Sequence, residues 1–184
     1  MRKFLDGLYR ASGACAAFFL LAICAIVLAQ VGANLIDAVA DALTGTPIGL
    51  VIPSYAEFAG FFLAATSFLA LAYTLRAGGH IRVTLVIQHL GPRARRAAEL
   101  WCSASGAGLA GYFAWYGVAL VFESIEFGDV STGIVPVALW LPQSAMALGL
   151  IVLTIALIDG FVDVVRGDAS ARAAAADESS FIGR

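Results

Sequence analysis

Four apolar runs, each long enough to cross a lipid bilayer, leave this chain few ways to fold. A hydrocarbon core about 30 Å thick takes roughly 20 helical residues. The runs Ala11–Ile36, Ile48–Leu75, Ala97–Phe122 and Val130–Ile158 all reach that length. Inside lipid every backbone N–H and C=O must find a partner within the protein, so such runs become helices. The remaining chain forms short loops and tails, too little to bury a second core. An all-α membrane protein is therefore expected, with four transmembrane helices near 11–36, 54–75, 97–122 and 137–158. They form one domain over 1–165, and 166–184 is expected to be a disordered tail. Composition agrees, at 61% hydrophobic and 13% charged residues with a mean hydropathy of +0.90. The first run is longer than the apolar part of a signal peptide usually is, so it reads as a span.

Basic residues in short loops stay on the cytoplasmic side. Arg2, Lys3 and Arg10 precede the first run, Arg76, Arg82, Arg93, Arg95 and Arg96 separate the second from the third, and Arg166, Arg172 and Arg184 follow the fourth. The other two loops carry acids instead, with Asp37 and Asp41 in one and Glu123, Glu126 and Asp129 in the other. Both termini are thus expected in the cytoplasm. Cys15, Cys24 and Cys102 all lie in spans and read as small apolar residues. His80 and His89 fall in the basic loop, away from membrane depth, which disfavours a haem or metal centre. No phosphate-cradling glycine loop and no nucleophile–base pair are present, so neither an ATPase nor another enzyme is expected, nor a cofactor, metal or nucleic-acid partner.

Polar residues inside the runs are few and informative. Gln30, Asn34, Asp37 and Asp41 share one helical face, either emerging into solvent or facing a partner. Ser54 and Glu57 have capping-box spacing, with Glu57 at the membrane edge as a cap or partner contact rather than an ion site. Ala56, Gly60 and Ala64, and on the third run Ala104 and Gly108 or Ala107 and Gly111, have the spacing that lets helices approach closely. Tyr112, Trp115 and Tyr116 read as an aromatic belt.

Residues 75–101, "LRAGGHIRVTLVIQHLGPRARRAAELW", are apolar, basic and broken by glycine. Gly78 and Gly79 stop the second helix. Val83, Val86, Ile87 and Leu90 then share a face, which suits an interfacial amphipathic arm over about 80–90. Arg93, Arg95 and Arg96 follow at a helix N-terminus, where the macrodipole disfavours cations. Attraction to an anionic leaflet, on the order of 1 kcal/mol per residue, outweighs that cost and makes membrane lipid a partner of the arm.

The runs "PSYAEF", "LRAGGHIRVTLV", "GPRARR" and "STGIVPVALWLPQSAMALGL" resemble the small, DctQ-like membrane subunit of tripartite ATP-independent periplasmic (TRAP) transporters. The likeness runs through all four spans and is most specific at Arg76, Gly78, Gly79, His80, Ile81, Arg82 and Val83, and at Pro136 and Trp140, with Ser131 nearby. Thr84 departs from it, since the family often has an acid there. The resemblance implies a bacterial inner-membrane subunit that scaffolds a large polytopic transport subunit, while a periplasmic solute-binding protein delivers an organic acid anion for sodium-coupled uptake. Two other classes remain open: a small homo-oligomeric cation-coupled exporter and a membrane anchor of a redox complex.

Overall fold

The computed structural model describes residues 2–77 and 91–166. Four helices account for most of them: α1 (Arg2–Thr44), α2 (Tyr55–Arg76), α3 (Pro92–Phe127) and α4 (Trp140–Arg166). All four are long and apolar enough to cross a membrane. The expected arm at 80–90 and the tail after Arg166 lie outside the described residues.

Local chemistry sets the ends. Gly91 and Pro92 open α3, with proline where its missing N–H costs nothing. Gly128 closes it at φ 67°. That is a left-handed conformation, which a Cβ would disfavour. The helices alternate in direction, so the start of α1 and the end of α4 lie at one end of the bundle, here the terminal end. The α1–α2 and α3–α4 connections form the loop end. Helices α1 and α4 both outlast their apolar runs, α1 continuing past Ile36 to Thr44 and α4 past Ile158 to Arg166.

Lipid gives helices no hydrophobic reason to associate, so contact rests on close approach and hydrogen bonds. Helix α2 packs between α1 and α4, and α3 packs on α4. Between α1 and α2, the Ser12 hydroxyl donates to the Leu69 carbonyl and the Thr66 hydroxyl donates to the Ala16 carbonyl at 3.3 Å. Gly13 sits under the Tyr73 ring, and Phe19 meets Phe62 with centroids 5.5 Å apart. Buried alanines fill the seams, among them Ala16, Ala65, Ala72 and Ala156.

The small-residue faces expected from sequence are only partly used. Ala56 and Gly60 are exposed, as are Ala104 and Gly108, and Gly60 and Gly108 have open space where a side chain would go. Gly111 does meet α4, at Thr154, joined by Gly106 against Leu157 and Gly117 against Ala147. The closest approach is at Gly149 of α4, where an added Cβ would stand 2.5 Å from the Phe68 carbonyl carbon. Spacing marks small residues, but helix rotation decides which of them face a neighbour.

Gly149→Val should therefore force α2 and α4 apart and cost about 1–3 kcal/mol. Gly108→Ala, made in open space, should be neutral. Thermal unfolding of the two variants in detergent measures the contrast.

Candidate functional site

The polar groups gather in two clusters at opposite ends of α2. By helical rise, Glu57 and Arg76 stand about 28 Å apart.

At the terminal end, Arg76 occupies the last turn of α2. Its guanidinium pairs with Asp159, lies 3.6 Å from Asp163 and 4.0 Å from Asp6, and sits 5.1 Å above the centre of the Tyr9 ring. Tyr9 is buried, and its hydroxyl has no hydrogen-bond partner among the described residues. The arrangement has a clear electrostatic reason. Helices α2 and α4 run parallel, so the negative ends of their dipoles lie side by side, and α4 adds two carboxylates there. The Arg76 guanidinium at the junction faces these negative groups and ties in the first turns of α1.

Sequence reading picks out Arg76 but not Asp6, Tyr9, Asp159 or Asp163. A signal is available. Asp159 and Asp163 fall one turn apart at a helix C-terminus, where acids are unfavourable unless a cation faces them. The same end supplies a second contact: Arg96 of α3 donates to the Val165 carbonyl of α4 at 2.8 Å. That bond to an unpaired terminal carbonyl helps offset placing a cation at the start of α3, a protein contribution beyond the expected lipid attraction. Arg93 is exposed, and the Arg95 side chain lies outside the described residues. So do Gly78, Gly79, His80, Arg82, Val83, Val86, Ile87 and Leu90.

At the loop end, the α3–α4 connection folds back on itself. Val130 and Ala138 form an antiparallel bridge. The Ser131 amide donates to the Val137 carbonyl at 2.8 Å, and the Val137 amide donates back to the Ser131 hydroxyl at 3.1 Å. Pro136 lies within this fold-back, and Trp140 opens α4 beyond it. The tip reaches α2, where the Val135 amide donates to the Ser54 hydroxyl at 3.1 Å. Glu57 Oε2 is packed so tightly against Gly133 that an added Cβ there would overlap it.

This geometry corrects the expected capping box. Ser54 is the N-cap residue, at φ 57° and ψ 18°, but its side chain makes no capping bond. The Glu57 amide goes to the Ser54 backbone carbonyl at 3.0 Å. Glu57 Oε2 is buried with no hydrogen-bond partner among the described residues. Long-range packing of the fold-back claims both side chains, which a local motif cannot foresee.

The polar stripe on α1 is also used within the chain. Gln30 accepts from the Ile52 amide at 3.0 Å and donates to Asn34 at 2.9 Å, and Asp37 accepts from the Gly49 amide at 2.7 Å. It holds the α1–α2 connection down along the helix instead of dissolving into solvent.

Four apolar helices joined at their ends by polar clasps make this a multi-pass membrane protein. The family model for tripartite ATP-independent periplasmic transporters, DctQ component, matches residues 48–167, and the chain belongs to that family. It is thus the small membrane subunit of a TRAP transporter, and the family is one of transporter components, not of enzymes. The match takes in α2, α3 and α4, while α1 lies outside it. Neither curated proteins nor solved structures give a match.

Arg76→Ala should remove a cation that faces the α4 aspartates Asp159 and Asp163. The cost should be on the order of 1–3 kcal/mol, less than for a fully buried pair, because the Arg76 side chain keeps 25% exposure. Adding Asp159→Asn should recover part of it. A double-mutant cycle on thermal unfolding reads the coupling directly.

Proposed function

We propose that this subunit scaffolds and anchors the large polytopic subunit of its transporter in the bacterial inner membrane, and does not itself move solute. The transporter so formed takes up an organic acid anion, coupled to sodium and delivered by a periplasmic binding protein. Family membership carries the reading. Its support in this chain is the placement of polar groups. The Arg76 ion pairs lie at the terminal end of the helices, and the Glu57 carboxylate is packed against Gly133 at the loop end, within the same chain.

In this reading both termini are cytoplasmic, the Arg76 cluster lies at the cytoplasmic surface and the fold-back faces the periplasm. Residues 80–90 form a surface-lying arm, with Val83, Val86, Ile87 and Leu90 in the headgroup boundary and Arg82, Arg93, Arg95 and Arg96 toward anionic lipid. Gly78 and Gly79 release the chain into that arm, and His80 begins it. Ser54, Glu57, Ser131, Pro136 and Trp140 shape the periplasmic surface offered to the partner.

Co-purification in mild detergent should yield the large subunit in one-to-one ratio, and this chain alone should transport nothing in vesicles. Glu57→Gln should weaken assembly modestly and leave the sodium dependence of uptake unchanged; an altered coupling ratio would make Glu57 an ion ligand instead. Single cysteines at positions 86 and 90 should be shielded from a water-soluble thiol reagent while one at 84 reacts quickly. Equal, fast labelling at all three would remove the arm.

A further inference from the structure

Helix α1 is too long for the bundle it belongs to. Arg76 sits level with Tyr9, and Ile52, just before α2, sits level with Gln30. The stretch of α1 alongside α2 is therefore about 32 Å long, close to one hydrocarbon core. The remainder, from Val31 to Thr44, adds about 21 Å past the start of α2. Headgroups account for roughly 5–8 Å on each side, so several turns stand clear of the bilayer. Tilt does not absorb the excess. Burying α1 from Ala11 to Leu43, about 50 Å, would need an inclination of roughly 53°, beyond the roughly 0–40° seen for membrane helices, and would draw Asp37 and Asp41 into lipid.

The projecting part is two-faced. Gln30, Asn34 and Asp37 hold the returning loop. On the other side Leu28, Val31, Leu35, Val39 and Leu43 form an exposed apolar ridge, with Leu35 at 64% and Leu43 at 80% exposure. Large apolar side chains in a row beyond the membrane mark an interaction surface.

Resting on the scaffold reading above, we infer that this ridge is the docking surface for the large membrane subunit, which rises beside α1 beyond the bilayer. The ridge is unbroken from Leu28, at membrane level, to Leu43 outside it, so what covers it must cross the same boundary. Charge narrows the occupant further. No lysine, arginine or histidine lies between Arg10 and Arg76, or between Arg96 and Arg166. Asp41, Glu123, Glu126 and Asp129 thus leave this end wholly acidic. A second copy would bring acid to acid, whereas a partner flanking its apolar surface with lysine or arginine is attracted. The family match begins at residue 48, so the ridge belongs to the part of the chain outside it.

The test uses the full chain co-expressed with the large subunit, with p-benzoylphenylalanine replacing Leu35, Val39 or Leu43 in turn. Irradiated membranes should give adducts with the large subunit at all three positions. Adducts only with the binding protein, a second copy or lipid, or no adducts, would overturn the ridge while co-purification of the unaltered chain with the large subunit leaves the scaffold reading standing. Failure of that co-purification removes both. Val39→Asn with Leu43→Asn should weaken retention of the large subunit at least about tenfold, without loss of helix content or membrane insertion. Unchanged retention would also overturn it.

Discussion

A single guanidinium at the last turn of α2 sets the register of three helices. Parallel α2 and α4 bring two negative dipole ends together, and Asp159 and Asp163 add charge to one of them. Arg76 makes that junction favourable, and by reaching Asp6 and covering Tyr9 it also fixes how far α1 slides along α2. With that level set, Ser12 meets Leu69, Ala16 meets Thr66 and Gln30 meets Ile52. The overhang of α1 at the far end is the remainder of the same register.

The loop end is fastened differently. There the chain uses backbone amides of irregular segments, which cannot be left unpaired near lipid, and supplies side-chain acceptors from the neighbouring helices. Ser54, Gln30 and Asp37 each take one such amide. Between the two ends, glycine and alanine allow the helices to touch, most closely at Gly149. The ion pairs and amide acceptors thus lie toward the helix ends, with close helix contacts between them.

Much of this was legible in the sequence because the bilayer is a severe solvent. Thickness fixes span length, and unpaired backbone is forbidden, so apolar runs near residues 11–36, 54–75, 97–122 and 137–158 had to be helices. Family resemblance could be read from Arg76 through Val83 and from Pro136 to Trp140. The chemistry of Glu57 could not, because capping-box spacing is local while the side chain is claimed by Gly133, far along the chain. Asp159 and Asp163 were obscured for the same reason: their partner stands on another helix, and helix pairing is not written in spacing.

The sequence by itself determined the four membrane-length helices and the family, since both depend on runs of adjacent residues and the first also on the thickness of the hydrocarbon to be crossed. Tertiary structure alone decided which small residues are contacts, that Arg76 gathers the ends of three helices, and that Ser54 and Glu57 serve the α3–α4 fold-back and not their own helix. Those outcomes follow from the rotation and sliding of rigid helices against one another. Both are fixed by close approach and by ion pairs between residues far apart in the chain.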